Sequence, residues 1–136
     1  MESSRETSQC YQSWVDSHPA DLNAALDYVR DRDFGSLAKL SEHSCLKMHA
    51  VAMSSQPPLV YWSGATVDCM QRVRELRRQG LPVFFTIDAG PQVKAVCLPE
   101  AAPQVRAALL ELPGVLDVLD SRLGQGAWVE CCQRDW

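Results

Sequence analysis

Asp88 closes an apolar run, Val83-Phe84-Phe85-Thr86-Ile87, and is followed at once by Ala89-Gly90-Pro91. The β-branched and aromatic residues of that run predict a buried strand, which Gly90-Pro91 ends. A second apolar run, Val93 to Leu98, follows directly, so the two predict a hairpin with Asp88 at the mouth of its turn. Strand ends commonly hold reactive groups on a rigid support. An acid before Gly-Pro also suits an Asx-type turn, and the residues alone leave both readings open.

Other chemistry-bearing residues give weaker signals. His49 follows Met48 in a helical pattern and reads either as a ligand or proton carrier, since histidine titrates near neutrality, or as a hydrogen-bonded residue at the core edge. A nucleophile pair such as Cys97 with His49 would have to assemble in space. His18 and His43 sit among polar residues and carry no signal. Gly124-Gln125-Gly126 has the look of a phosphate-loop fragment but lacks the following helix and the Lys-Ser/Thr, so a plain turn is the better reading. Cys10, Cys45, Cys69 and Cys97 lie singly in apolar patterns, and Cys131-Cys132 is adjacent rather than Cys-x-x-Cys; no metal site is expected. Arg72, Arg74, Arg77 and Arg78 cluster on one predicted helix and read as a solvated face.

The elements that must position these residues emerge from the totals and the patterning. At 136 residues the chain reads as a single domain, 1–136, with 46% apolar and 22% charged residues, an ordinary globular balance. A net charge of −4 argues against nucleic acid as a partner. No run approaches the roughly 18 apolar residues of a membrane span, and the start has no apolar signal core, so no membrane partner is expected and the cytoplasm is the expected compartment.

Cys10, Tyr11, Trp14 and Val15 predict a short amphipathic helix over 7–17, broken by Ser17-His18-Pro19. Pro19 then opens a second helix, with Leu22, Ala25, Leu26 and Val29 facing the core. Asp33 or a neighbour caps a third helix from Phe34 to about Ser54-Ser55, before Gln56-Pro57-Pro58 forces extended backbone. A helix over 65–79, with Val67, Met70, Val73 and Leu76 inward and Gly80 as its left-handed stop, precedes the hairpin. After Pro99-Glu100 comes a helix with Val105, Ala108 and Leu109 buried, and Val115 to Leu119 and Ala127 to Cys131 predict a second hairpin around Gly124-Gln125-Gly126. The predicted fold is α+β: about four strands in a mostly antiparallel sheet with helices on one face, a ferredoxin-like plait or a relative of it.

The segment Phe85-Thr86-Ile87-Asp88-Ala89-Gly90-Pro91-Gln92-Val93-Lys94 resembles the Phe-Thr-x-Asp-Ala-Gly-Pro-Asn-x-x segment of diphosphomevalonate decarboxylases, members of the GHMP kinase superfamily. Glu6-Thr7-Ser8 with Tyr11-Gln12 and Trp14, Lys47-Met48-His49-Ala50, and Ser55-Gln56-Pro57-Pro58 with Tyr61 come in the same order as in the C-terminal half of that family. The resemblance covers essentially the whole chain and implies a GHMP-kinase C-terminal-like domain.

It also implies a carboxy-lyase that uses ATP and Mg2+ to phosphorylate the tertiary 3-hydroxyl of mevalonate 5-diphosphate, then releases phosphate and CO2 to give isopentenyl diphosphate in the mevalonate pathway of isoprenoid biosynthesis. Asp88 would face that hydroxyl as a base or an orienting anion, with Ala89 and Gly90 allowing close backbone approach. Gln92 stands where the family has Asn. The family's N-terminal domain, with the phosphate-binding loop and most diphosphate contacts, has no counterpart in these residues, so the isolated chain is expected neither to bind ATP tightly nor to turn over. A homodimer is also implied. Two alternatives remain: a related mevalonate or phosphomevalonate 3-kinase or decarboxylase using the same acid, and a non-catalytic binding or regulatory domain of the same fold.

Overall fold

A strand pair at the centre of the molecule is held by helices that precede and succeed it in the chain. The computed structural model describes residues 2–126. In order these form α1 (Glu2–Thr7), α2 (Tyr11–Arg30), α3 (Phe34–Met53), α4 (Gly64–Arg78), β1 (Val83–Thr86), β2 (Lys94–Cys97), a 3-10 turn (Pro99–Ala101) and α5 (Ala102–Leu110). The class is α+β, as the segregation of helical and strand patterns predicts.

The local signals that set these boundaries are visible. Asp33 caps α3, its side chain accepting the Ser36 N–H at 2.9 Å. Ser63 and Thr66 form a reciprocal capping box at the start of α4. Gly80, at φ +96°, ends the α4 region in the left-handed conformation. β1 and β2 pair antiparallel in the register Val83 with Cys97, Phe84 with Val96, Phe85 with Ala95 and Thr86 with Lys94. Val83, Phe85 and Ile87 share one face of the sheet and enter a core with Met70, Val73 and Leu76 of α4 and Val105, Ala108 and Leu109 of α5. On the other face Phe84 meets Phe34, ring centroids 5.4 Å apart.

Three expectations change. Pro19 does not break a helix; it lies inside α2. Lys47 of α3 reaches both sides of it, donating to Ser17 Oγ at 2.8 Å and to the Asp21 carboxylate, and so bridges the turn of α2 that lacks the Pro19 amide. The face of α2 is also turned: of the four expected core residues Leu22, Leu26 and Val29 are more than half exposed and Ala25 is half-buried, alongside Trp14, Ser17, Asp21, Ala24 and Tyr28.

The third change concerns the sheet, which has two strands among the described residues rather than about four. Val115 to Leu119 forms no strand: Val115 and Val118 touch the core at a spacing of three, Leu116 and Leu119 stand in solvent, and Arg106 takes the Val118 carbonyl that a ladder would have used. The predicted partner strand, Ala127 to Cys131, and the Cys131-Cys132 pair lie outside the described residues. Nor do the helices share one face. α4 and α5 cover the Phe85 side, whereas α3 runs along the edge of β1 that β2 leaves free. No helix of the described residues is long and apolar enough to cross a membrane.

Candidate functional site

Asp88 stands one residue beyond Ile87, where the strand runs out, and its side chain is 78% exposed. Lys94, the first residue of β2, pairs with its carboxylate across the turn. Both partners are largely in water, so this pair contributes at most about 1 kcal/mol and is readily exchanged for another partner. Buried residues directly behind it hold the acid in place.

Antiparallel pairing sends alternate amides to opposite edges of a strand. Phe84 and Thr86 face β2; Phe85 and Ile87 turn their amides away from it, toward α3. There the Phe85 N–H donates to Glu42 Oε1 at 3.4 Å, and the Ile87 N–H donates to Cys45 Sγ at 3.3 Å. The Ile87 carbonyl accepts from His49 Nε2 at 3.2 Å and from the Cys45 thiol at 3.5 Å. Glu42, Cys45 and His49 are spaced three and four apart, so they project from one side of α3 and do for β1 what a third strand would do.

Each of these side chains is fixed in turn. Glu42 is buried and accepts a bidentate pair from Arg77, at 2.6 and 3.0 Å, with Arg74 Nε at 3.4 Å. Arg74 also lies over the Phe85 ring, 5.3 Å from its centroid. Two members of the arginine cluster expected to form a solvated face thus turn inward to a buried acid. Burial pushes the Cys45 thiol up from its ordinary value, the Asp88 and Glu42 carboxylates adding to the rise against hydrogen bonds from Ile87 and Thr86. Cys45 therefore stays a thiol at neutral pH, with an S–H to donate. His49 packs against Trp62, ring centroids 4.8 Å apart, and uses Nε2 on Ile87 rather than joining Cys97.

The far side of the turn is gripped as well. Gly90 has φ +98°, and a Cβ there would stand 3.0 Å from the Tyr61 carbonyl oxygen and 3.3 Å from the Tyr61 Cβ. Only glycine satisfies both the angle and the approach. Thr66, buried in the α4 capping box, donates through Oγ1 to the Pro91 carbonyl at 3.0 Å. Ala89 is exposed between the two. Asp88, Ala89 and Gly90 therefore form a short presented arc pinned at Ile87 and at Pro91.

Beside this arc a cleft of about 420 Å3 opens between α2, α3 and the end of β1. Asp21 and Asp88 are its acidic lining residues, with Ser41, Ser44 and His18 among the polar ones. Each acid already has a lysine partner, and no group of three His, Cys, Asp or Glu among the described residues is gathered to hold a metal. This donor set does not fit a magnesium nucleotide: the cleft offers a triphosphate two carboxylates and no cluster of cations. Gly124 and Gly126 lie in open chain, and among the described residues no helix start meets them to receive a phosphate.

The residues missed in the sequence are Glu42 and Cys45. Their signal is the stripe Ala38, Glu42, Cys45, His49, Ala52, buried at spacings of four and three and mixing a charge with small residues, whereas the larger Leu37, Leu40 and Met48 mark a flank that is only half-buried.

A family model described as the mevalonate 5-diphosphate decarboxylase C-terminal domain matches residues 1–125. A diphosphomevalonate decarboxylase from Candida albicans is 29% identical over 73 residues, covering 54% of this chain and 20% of that protein. The crystal structure of mevalonate diphosphate decarboxylase from Staphylococcus aureus is 38% identical with a TM-score of 0.76, over 79% of this chain and 33% of that one. A relative solved in complex with MVAPP, AMPPCP and magnesium is 34% identical with a TM-score of 0.77, over 80% of this chain and 33% of that one. The chain thus spans about a fifth of the curated relative's length and about a third of each solved one.

Proposed function

Because the chain belongs to the mevalonate 5-diphosphate decarboxylase C-terminal domain family, we propose that it supplies the hydroxyl-facing acid, Asp88, to an ATP-dependent decarboxylation of mevalonate 5-diphosphate. The observation that carries this reading is the setting of Asp88: an exposed carboxylate on a turn pinned from α3 and α4, at the mouth of a cleft. A tertiary alcohol is a poor nucleophile, so the useful work of such an acid is to hold the hydroxyl's hydrogen in one direction and to accept its proton as the oxygen is phosphorylated. Once that proton has passed on to solvent, the restored carboxylate faces the positive charge that develops at that carbon as phosphate leaves and CO2 is lost. Lys94 lies against the carboxylate until the hydroxyl takes its place. Ala89 and Gly90 keep side-chain bulk away from the approaching substrate.

The nucleotide, the magnesium and the diphosphate are assigned to the N-terminal GHMP domain of the whole enzyme, consistent with a solved relative that carries mevalonate diphosphate, an ATP analogue and magnesium on a chain three times the span matched here. The exposed Leu22, Leu26 and Val29 supply apolar area for that domain or for a second copy of the enzyme to cover. The purified chain alone, given ATP, magnesium and mevalonate 5-diphosphate, is expected to release no CO2. In the full-length enzyme Asp88→Asn is expected to leave substrate binding nearly intact and to cut turnover by orders of magnitude, read as CO2 release; turnover near wild type would remove Asp88 from the mechanism.

A further inference from the structure

We infer that Cys45 and His49 are positioning residues that hold the Ile87 peptide so that Asp88 presents its carboxylate in one direction; this rests on the reading of Asp88 as the hydroxyl-facing acid. The last backbone pair of the hairpin is Thr86 with Lys94, so the ladder between β1 and β2 stops before Ile87. With the ladder alone, Ile87 and Asp88 would be free to swing about the end of the strand. Instead, both peptide planes that flank the Ile87 Cα are held from α3. The first is held through its N–H on Cys45 Sγ, and the second through its carbonyl on His49 Nε2 and the Cys45 thiol. The second plane also contains the amide nitrogen of Asp88, so fixing it leaves the carboxylate only the rotations of Asp88 itself.

All three residues are buried, Ile87 and His49 to 1% exposure and Cys45 to 6%. In such surroundings an unpaired carbonyl or N–H costs more than an ordinary hydrogen bond contributes, so the peptide does not leave these partners easily. Because Ile87 O accepts, His49 carries its proton on Nε2, and the Trp62 ring at 4.8 Å holds the imidazole plane. Beyond Asp88, the Gly90 contact with Tyr61 and the bond from Thr66 to Pro91 close the arc. A displacement of the acid by a fraction of an ångström would be felt as lost turnover rather than as lost binding, since the diphosphate is read elsewhere.

Donor-keeping and donor-lacking replacements in the full-length enzyme separate this role from mere packing. His49→Gln keeps an N–H at about the reach of Nε2, whereas His49→Leu removes it; Cys45→Ser keeps donor and acceptor, whereas Cys45→Ala removes both. The Leu and Ala variants are expected to lower kcat by about 10- to 100-fold with little change in KM for mevalonate 5-diphosphate, and the Gln and Ser variants to recover most of that loss. The 13C resonance of the Asp88 carboxylate in labelled enzyme should shift in the Leu and Ala variants and return in the Gln and Ser ones. Equal losses in both kinds of variant, a loss confined to KM, or an unmoved Asp88 resonance overturns the inference. Should His49→Leu fail to melt cooperatively, the Cys45 pair, a smaller change of volume, decides the matter. Asp88→Asn measured alongside keeps two failures apart: if it turns over like wild type, the role of Asp88 falls, while the carboxylate resonance still reports whether Cys45 and His49 aim it.

Discussion

The two edges of β1 are satisfied by different means. Toward β2 the bonds run from main chain to main chain, Phe84 with Val96 and Thr86 with Lys94, and any residue except proline can make them. Toward α3 the same strand is satisfied by three side chains, Glu42, Cys45 and His49, each of a type that can be lost by a single substitution. The first edge depends on pattern, the second on identity. The second edge is also the one that continues past the end of the ladder to reach the residue before Asp88. A side chain can grip a peptide that a neighbouring strand has already left, and so it can shape a turn that presents an acid.

If that contrast is right, the largest stability loss comes from Glu42→Ala. It leaves the Phe85 N–H unpaired in the core and strands Arg77 and Arg74, whose side chains remain a third or more exposed and so recover some hydration. A loss of about 3 kcal/mol is expected, read as a lower urea midpoint. A change below about 1 kcal/mol would show that water replaces Glu42 at no cost and that this edge depends no more on identity than the other.

Gly90→Ala comes next. The left-handed φ and the 3.0 Å approach to the Tyr61 carbonyl both act against a Cβ, and the atom that would have to give is backbone. The expected loss is about 2 kcal/mol, with a drop in turnover in the full-length enzyme because Asp88 moves with the turn. Unchanged stability would mean that the turn relaxes freely and is not pinned on its Tyr61 side.

A subtler mark of the α3 edge is its response to alkali. The Cys45 pKa is raised in the folded state, so the folded form holds that proton more tightly than the unfolded chain does. The resulting stability is fully present below the ordinary thiol value of 9.0 and is lost as pH rises through the folded value. Cys69 and Cys97 are raised by burial in the same direction. The urea midpoint of the wild type should therefore fall as pH rises above 9.0, and it should fall less in Cys45→Ser, whose hydroxyl does not ionise. Equal slopes would show that the thiol gains its proton preference from no feature of the fold.

The contrast also explains how much of the molecule is legible in the chain. Alternation and breakers mark the β1–β2 hairpin, and helical periodicity with the Asp33 cap and the Gly80 stop marks α3 and α4, because these signals lie within a few residues of the structure they shape. The place of Asp88 is legible for the same reason, and so is the family segment around it. The α3 stripe marks Glu42 and Cys45 as inward-facing, but their partners some forty residues away leave no local trace: Glu42 to Phe85 and Cys45 to Ile87, and likewise the Lys47 bridge across Pro19, about thirty residues long. Among the described residues two strands stand where about four are expected. An apolar run shows that a segment can be a strand but not which edge is open to it, and α3 occupies the edge of β1 that β2 leaves free.

The smallest effect should come from the backbone-paired edge. Val96 lies opposite Phe84 in the register and is 40% exposed, so Val96→Ala removes two methyl groups from a half-covered position and leaves both backbone bonds of the pair in place. The loss is cross-strand contact with Phe84 and some strand preference, together about 0.5 to 1 kcal/mol. Turnover of the full-length enzyme should be unchanged, since β2 makes no bond to Ile87. A paired measurement of Val96→Ala against Cys45→Ala is the cleanest comparison, each deleting a small side chain next to β1. If both cost the same and neither touches kcat, the two edges of the strand are equivalent. If only Cys45→Ala lowers kcat, the asymmetry lies in the bonds that reach Ile87 and not in the packing around them.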